Sequence, residues 1–467
     1  SVVLAVNVML FNVLTSTYFL VLIGVLLILL GITLLTQIAA KGKGIGGKIF
    51  CILICIILGV GSFYIGKVNN AFQKITGSNK KTSSMVVAVK ADDNADTLSA
   101  AAEYTFGVQY ATGGDQTKSA VKQIEKELGQ NITLQEYSNL GEEAQALYDG
   151  EVDAIIYNSA YSNIIKEQYS TFTKDTKVIY KHNIVVEIES DTSDESVTKP
   201  FAVYLSGIDT NGDITEQGRS DVNIVAVVNP TSHQVLLITT PRDYYVPIPG
   251  VSGGQDDKLT HAGIYGVDKS MKTLEKLYDT NLDFYARVNF TSLITMVDAL
   301  GGVDVESEYA FTTSEDSGLV MDVVQGTNHF NGKQALAFSR ERQNVPGGDN
   351  QRGKDQQAVI TAMIKKMVSP AILTGANGIL NSVSGNVETN MSEAQIQELI
   401  KTQLSENPQW TITSMAADGT GDTQYCYSYS GKPLYVMQPN QESVDAIKEA
   451  MDKVENGETL EGGTTTE

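Results

Sequence analysis

The sequence has 467 residues, which is too long for one ordinary hydrophobic core and predicts two or three domains. Lysine and arginine total 34 against 55 aspartates and glutamates, so the net charge is −21. Such an acidic chain lacks the broad basic surface that a nucleic acid backbone requires, which argues against nucleic acid as the partner. The three cysteines, Cys51, Cys55 and Cys426, are too few and too scattered to form a disulfide framework.

The N-terminal segment is strongly apolar. Residues 18–38 are almost wholly apolar and long enough to cross a bilayer as a helix. Residues 49–66 are a second candidate, and residues 2–14 read as the end of another, so residues 1–66 are predicted to hold three transmembrane segments, the first truncated. The short basic loop 41–48 favours the cytoplasmic side, which would place the rest of the chain outside, although the lysines that follow residue 66 leave the charge count undecided.

Residues 84–192 alternate between strand-like and helix-like patterns, after a linker predicted at 67–83. This alternation predicts a small α/β accessory domain with a largely parallel sheet, similar to one lobe of a solute-binding protein. The turn at 112–115 precedes a helix, and two interpretations stay open for it. It binds an anion at the helix N-terminus, or it is an ordinary turn with Asp115 as the N-cap.

Charged residues follow three strand-like segments after residue 198. Asp209 ends the first segment, Arg219 and Asp221 open the second, and Arg242 and Asp243 end the third. In open α/β sheets ligands bind at strand ends, so these side chains are candidates for one site. Asp209 and Asp221 together suit Mg²⁺, which takes few protein carboxylates and completes its shell with phosphate and water. The alternative is that they are turn and cap residues.

Two further arginines lie in the segment ALAFSRER. Its pattern predicts a strand on which Phe338, Arg340 and Arg342 share one face. Two like charges on one strand face repel each other, so they require an anion nearby. The alternative is a solvated sheet edge with Glu341 opposite the arginines.

Residues 352–368 predict an amphipathic helix that Asp349 caps. Arg352 and Gln356 share a face near its start, where the helix dipole favours an anion. The planar guanidinium fork matches phosphate oxygens two at a time, so the five arginines together predict a clamp for a phosphorylated ligand. There is no nucleophile motif and no phosphate loop in the sequence, which favours positioning and charge stabilisation over covalent catalysis.

Five segments, which begin at GIDTNGDITEQGRSDVNIVAVVN and end at NGKQALAFSRERQNVPGGDNQRGKDQQ, resemble the LytR-CpsA-Psr family, and the capsule-locus CpsA proteins of streptococci most closely. The resemblance implies a membrane-anchored α/β protein with a central mixed sheet in a catalytic domain at 198–455, densest in motifs at 198–370. It implies an extracytoplasmic phosphotransferase that moves a capsular or teichoic-acid-type glycopolymer from undecaprenyl pyrophosphate to peptidoglycan, with Mg²⁺ or Mn²⁺ and possible pyrophosphatase side activity. The low-complexity composition of residues 456–467 separately predicts a disordered tail.

The resemblance also assigns roles to individual residues. Asp209 and Asp221 match the family's metal ligands. Five arginines match both its catalytic residues and its pyrophosphate contacts: Arg219, Arg242, Arg340, Arg342 and Arg352. Gln356 matches a pyrophosphate contact that is not catalytic. Many members have a second arginine where this chain has Asp355, and Lys354 is the candidate to supply part of the missing charge.

The implied partners are the lipid-linked glycan, peptidoglycan, the bilayer and other capsule-assembly proteins. Two alternatives to an enzyme stay open: a non-catalytic polyprenyl-phosphate-binding regulator of capsule synthesis, and a transcriptional attenuator. Asp243 and Asp209 are both candidates for the general base, and the segment SLITMVDAL either lines a slot for the polyprenyl chain or belongs to the core.

Overall fold

The computed structural model describes residues 2–11, 16–39, 45–76, 80–187, 196–208, 214, 217–369, 386–462 and 464–465. Its N-terminal part consists of α1 (Val2–Phe11), α2 (Ser16–Ala39) and α3 (Ile45–Thr76). Among the described residues, Tyr18–Ala39 is the one helix long and apolar enough to cross a bilayer, with a mean hydropathy of 2.9. The apolar part of α3, Lys48–Val60, is shorter, so the other two predicted spans stay predictions. Residues 67–76 of the predicted linker continue α3.

The accessory domain is built around one five-stranded sheet. Its elements are β1 (Lys80–Lys90), β2 (Thr105–Gln109), α4 (Gly114–Leu128), β3 (Thr133–Tyr137), α5 (Leu140–Asp149), β4 (Ala154–Asn158), α6 (Ser162–Gln168), α7 (Phe172–Asp175) and β5 (Thr176–Glu187). The strand order is β3-β2-β4-β1-β5. The sheet is mixed rather than largely parallel, because β1 runs antiparallel to both β4 and β5 while β2 is parallel to β3 and β4.

The turn before α4 shows why the predicted cap is wrong. Gly113 is the N-cap and has φ of 71°, a left-handed conformation that glycine adopts without steric cost. Asp115 lies inside the first turn of α4, and no side chain caps this helix.

The second domain contains a seven-stranded central sheet. Up to residue 312 its elements are β6 (Phe201–Ile208), β7 (Ser220–Asn229), β8 (Gln234–Thr239), β9 (Tyr245–Pro247), β10 (Asp256–Lys258), α8 (Leu259–Tyr265), α9 (Val267–Tyr278), β11 (Phe284–Val288), α10 (Phe290–Ala299), β12 (Val303–Ser307) and β13 (Phe311–Thr312). They continue with β14 (Asp322–Val323), β15 (Gly326–Phe330), α11 (Gly332–Arg340), α12 (Asp349–Val368), β16 (Glu388–Thr389), α13 (Glu393–Glu406), β17 (Thr411–Ala416), β18 (Gly419–Cys426), β19 (Tyr429–Pro439), α14 (Gln441–Glu455) and β20 (Thr464–Thr465).

The central sheet has the order β16-β11-β6-β7-β8-β17-β20. Strands β6 and β11 are parallel, as are β8 and β17, while β7 runs antiparallel to both of its neighbours. The prediction of an α/β fold with a mixed sheet is therefore confirmed. Thr464 and Thr465, which lie in the predicted tail, pair with β17.

Helices cover both faces of the central sheet. On one face α8, α9 and α14 pack against a core that includes Tyr204, Leu236 and Ile447. On the other face, Ile224 and Phe284 contact apolar side chains of α12 and α13. A third core joins α10, α11 and α12 beside the β12–β15 ribbon. The ends of β6, β8 and β11 and the start of β7 meet at one edge of this sheet.

Candidate active site

A cavity of about 900 Å³ lies at the edge where β6 and β11 end and β7 begins. Because β7 and β8 are antiparallel, the end of β8 reaches the same edge, with Ile224 opposite Thr239. The topology therefore gathers the ends of β6, β8 and β11 together with the start of β7. This convergence is the reason that the charged segments 219–221 and 242–243 share one site.

Every predicted site residue that the structure describes lines this cavity. The seven residues come from the start of β7 and the residue before it, from the turn after β8, and from the α11–α12 region: Arg219, Asp221, Arg242, Arg340, Arg342, Arg352 and Gln356. Asp209, the other predicted metal ligand, lies outside the described residues. The sixth arginine of the sequence, Arg287, does not line the cavity and forms a buried ion pair with Glu388.

The prediction of a strand for ALAFSRER is wrong. Residues 332–340 form α11, because Asn331 and Gln334 make a reciprocal capping box at its start. Arg340 is the last residue of the helix, and Arg342 follows it in a turn. The turn brings both arginines to the cavity. Arg340 and Arg342 therefore share one site, although they do not share a strand face.

Glu341 holds this turn in place and is not the exposed counter-charge that the sequence suggested. Its carboxylate is buried and accepts the backbone N–H groups of residues 342–344 at 2.7–3.1 Å, the hydroxyl of Ser317 at 2.8 Å and the N–H of Ser314. Burial raises the pKa of Glu341, but these hydrogen bonds outweigh it and lower the pKa to about 2. The ionised carboxylate therefore fixes the backbone that presents Arg340 and Arg342.

An apolar wall adjoins Arg340. Its guanidinium carbon lies 4.5 Å from the centre of the Phe290 ring, a cation–π arrangement. Leu293 and Leu336 line the cavity together with Phe290. The start of the predicted apolar stripe thus contributes to the cavity through Leu293, while Val297 in the same stripe is fully buried in the core.

Asp221 is the central carboxylate of the cavity. Its Oδ2 accepts a hydrogen bond from Arg242 Nη1 at 2.9 Å, and its Oδ1 accepts one from Thr260 Oγ1 at 3.1 Å. Burial raises the pKa of Asp221, but the charges of Arg242, Arg219 and Arg352 outweigh burial and hold the pKa below its ordinary value of 3.8. Asp221 is therefore ionised at neutral pH.

Lys258 and Asp243 form a second ion pair on the wall, with Lys258 Nζ 3.1 Å from Asp243 Oδ1. Asp243 Oδ2 also lies 3.6 Å from Arg242 Nε, which is too long for a hydrogen bond. Lys258 was missed as a site residue. Its position in DKLTH, immediately before α8, carries no local signal that separates it from an ordinary surface lysine.

The start of α12 differs from its prediction by three residues. The helix begins at Asp349 with Gly348 as N-cap, so Asp349 is not the cap. Instead Asp349 Oδ1 accepts a charge-assisted bond from Arg352 Nη2 at 2.9 Å, one turn along the helix. Gln356, one turn further, donates to the backbone oxygen of Ser339 at 3.3 Å.

Buried donors in the cavity wall indicate an anionic ligand. The Nε atoms of Arg242 and Arg352 are buried and have no hydrogen-bond partner among the described residues. Burial and the neighbouring Arg242 charge lower the pKa of Arg352. Because unsatisfied buried donors are rare in folded proteins, these guanidiniums are suited to a ligand with several oxygen acceptors.

The departure from the family pattern has a structural explanation. Asp355 does not line the cavity: it is buried on α12, where its Oδ1 accepts a hydrogen bond from Gln351 Nε2 at 3.0 Å. Lys354 is exposed, and its Nζ lies 3.5 Å from Glu308 Oε2. It lines only a smaller adjoining cavity of about 220 Å³. Lys354 therefore does not replace the missing arginine in the main cavity.

Three further lining residues were not predicted because they come from distant parts of the chain. Asn163 and Glu167 lie on α6 of the accessory domain, and Tyr435 lies on β19. Glu167 Oε1 is 3.5 Å from Arg219 Nη1. No local pattern in the sequence indicates that these residues meet the site.

The described residues contain no group of three or more His, Cys, Asp and Glu side chains arranged to hold a metal ion. Mg²⁺ commonly uses one or two protein carboxylates and takes its other ligands from phosphate and water. The ionised Asp221 on the cavity wall fits that limited role.

The LytR_cpsA_psr family model matches residues 155–453, well over half of the chain. The chain belongs to this family. A TagU protein of Bacillus cereus strain AH820, described as a polyisoprenyl-teichoic acid–peptidoglycan teichoic acid transferase, is 34% identical over 253 residues, which cover 54% of this chain and 77% of the relative. A TagU protein of Enterococcus faecalis is 39% identical over 196 residues, which cover 42% and 62%.

Solved structures also resemble this LytR_cpsA_psr protein. A protein from Streptococcus agalactiae is 27% identical, with a TM-score of 0.49, and covers 60% of this chain and 94% of that one. Closest similarity to the CpsA subgroup stays a prediction.

Proposed function

We propose that this protein is a membrane-anchored transferase that moves a glycopolymer from a polyprenyl diphosphate carrier to peptidoglycan. The observation that carries the proposal is the cavity that gathers five of the six arginines of an acidic chain. Family membership and the named activity of the TagU relatives support the same reaction class. The polymer is of the capsular or teichoic acid type, and the carrier is an undecaprenyl lipid.

The apolar and the polar parts of the cavity wall suggest one orientation of the lipid-linked donor. Phe290, Leu293 and Leu336 form the apolar wall beside Arg340, which suits the first units of the polyprenyl chain. We place the glycan on the side of Arg219 and Glu167, which form an ion pair elsewhere on the cavity wall. The diphosphate lies between the polyprenyl chain and the glycan, within reach of the buried guanidiniums of Arg242 and Arg352.

In the proposed step, an acceptor hydroxyl of peptidoglycan attacks the phosphorus that carries the glycan. A new P–O bond forms, the bridging P–O bond breaks, and polyprenyl phosphate leaves. The arginines stabilise the charge that develops on the leaving phosphate, which is the largest contribution expected of such a site. The hydroxyl proton passes to a carboxylate, for which Asp243 is the candidate among the described wall residues and Asp209 the other.

A bound Mg²⁺ or Mn²⁺ would add Lewis-acid stabilisation of the diphosphate oxygens, with Asp221 and Asp209 as its proposed protein ligands. Arg242 holds Asp221 at 2.9 Å, so it orients this carboxylate as well as facing the ligand. Hydrolysis of the diphosphate by water is a proposed side reaction of the same cavity.

We also propose that the N-terminal helices anchor the protein with the large C-terminal part outside the cell. The apolar helix Tyr18–Ala39 supports one crossing. Crossings by α1 and α3 would make the protein multi-pass. Protease added to intact cells should digest the part after residue 66, and protection until lysis would contradict this orientation.

The proposed reaction can be tested with the full chain in detergent, a synthetic lipid-linked glycan, peptidoglycan fragments and Mg²⁺. Mass spectrometry should detect the glycan–peptidoglycan conjugate for wild type and for the exposed-lysine control Lys272→Ala. Arg242→Ala should reduce its rate at least about a hundredfold, the size expected for one oxyanion-stabilising group, and Arg242→Lys should restore it only in part. Binding of the donor without conjugate formation would support the non-catalytic regulator instead.

A further inference from the structure

The accessory domain is firmly docked beside the cavity through α6. Ile164 and Ile165 of α6 belong to the same hydrophobic core as Ile264 of α8 and Val436 of β19. The hydroxyl of Tyr429 donates a hydrogen bond to Gln168 Oε1, next to Glu167. A shared core fixes the position of α6 more firmly than a polar surface contact would. The position of Glu167 in the cavity wall is therefore fixed by the packing of α6.

The accessory domain also holds the segment that carries Arg219. The N–H of Gln217 donates to the backbone oxygen of Thr82 at 3.4 Å, and Ser83 Oγ donates to Gln217 Oε1 at 2.6 Å. Thr82 and Ser83 lie on β1, and Gln217 is two residues before Arg219. One domain thus positions Arg219 through its backbone and also supplies the carboxylate that faces it.

Charge in the cavity is closely balanced. Six cationic side chains and five carboxylates line it. Among the described residues, Arg340 beside the Phe290 ring and Arg342 have no carboxylate within ion-pair distance, whereas Arg219 has Glu167 at 3.5 Å. The surroundings of Arg219 therefore tolerate less added negative charge than those of Arg340.

We propose that Glu167 is a specificity-determining residue that favours a diphosphate esterified at both ends over one that ends in a free phosphate. The inference rests on the proposed function, because that function places the glycan-bearing phosphate beside Arg219. A terminal phosphate that is linked both to the lipid-bearing phosphate and to the sugar carries one negative charge there. A free terminal phosphate carries about 1.5 to 2 negative charges at pH 7, and Glu167 repels the excess.

The selectivity assigned to Glu167 acts on ligand choice rather than on the chemical step. The loaded carrier is retained in preference to the same carrier without its glycan, which would otherwise occupy the arginines unproductively. If Glu167 had a purely structural role, its substitution would change the affinities for both ligands by the same factor. If its charge discriminates between the ligands, substitution changes the ratio of the two affinities.

The test compares two probes by calorimetry with the full chain in detergent: a short polyprenyl diphosphate, and the same lipid with one sugar on its terminal phosphate. Glu167→Gln should tighten binding of the unglycosylated probe about fivefold, the upper range for a partly exposed charge pair, and change binding of the glycosylated probe less than about twofold. Glu167→Asp should retain much of the wild-type preference.

The control is Glu136→Gln, an exposed glutamate on the edge strand β3 of the same domain, which should leave both affinities unchanged. Equal changes for both probes, or no change for either, in a Glu167→Gln protein with the wild-type melting temperature would overturn the inference. Failure of wild type to bind either probe would instead refute the proposed function.

Discussion

Asp355→Asn should stabilise the protein at neutral pH, because the wild-type carboxyl is buried without enough hydrogen bonds. Its Oδ2 is buried and has no partner among the described residues, and one hydrogen bond from Gln351 serves the other oxygen. Burial raises the pKa of Asp355 to about 7 from an ordinary 3.8. An amide at this position carries no charge to desolvate.

The magnitude follows from the linkage between proton binding and folding. One pKa unit corresponds to about 1.36 kcal/mol, so the raised pKa costs the folded state up to about 4 kcal/mol above pH 8. The destabilisation of the folded state by Asp355 falls to under about 2 kcal/mol at pH 5, where the folded protein already binds the proton. It vanishes below the pKa that Asp355 has in the unfolded chain. Wild type therefore gains stability from this group as the pH falls from 8 towards 4.

Urea unfolding of wild type and Asp355→Asn at a series of pH values between 5 and 8 measures this directly. The stability difference between the two proteins should grow by about 2–3 kcal/mol from pH 5 to pH 8. The exposed Asp92→Asn should show no such growth. A difference that stays constant with pH would refute the assignment of a neutral, buried carboxyl at position 355.

Two further predictions concern the elements that frame the arginines. Glu341→Gln should destabilise the protein at pH 7. The loss of unfolding free energy should shrink as the pH falls from 4.5 towards 2, because the hydrogen-bonded wild-type carboxylate is protonated in that range. A loss that does not change with pH in urea unfolding would contradict this prediction. Gly332→Ala should lower the free energy of unfolding by about 1–3 kcal/mol, since the added methyl would overlap the backbone of Ile294 on α10. Displacement of α10 should also weaken binding of the lipid-linked donor. The control Lys333→Ala, at an exposed position, should change the melting temperature little.

Strand segments and their charged ends could be predicted because a buried strand leaves a local, periodic pattern. Residues 220–229 and 234–239 form strands where the apolar runs predicted them, so Asp221 and Arg242 fall at the sheet edge as expected. Helix α11 was misread because its short apolar run fits periods of both 2 and 3.6. Its capping residues, Asn331 and Gln334, are the signal that could have decided between them.

The contributions of α6 and β19 to the site could not be predicted in the same way. Glu167 and Arg219 are separated by a domain boundary, and their contact depends on how two cores pack together. Local patterning determines which face of α6 is apolar, but it does not determine the partner of that face. The hairpin of β18 and β19, which brings Tyr435 to the cavity, shares this dependence on distant packing.

The ion pairs of the cavity have a consequence for how the protein reaches its folded state. Collecting six cations around one space would oppose folding if nothing offset their repulsion. Here Arg242, Lys258 and Arg352 each have a carboxylate from their own domain within 3.1 Å, and Arg219 receives one from the accessory domain. The chain can therefore assemble its arginine cluster during folding without a lipid to template it, and the first ligand meets a preformed binding site.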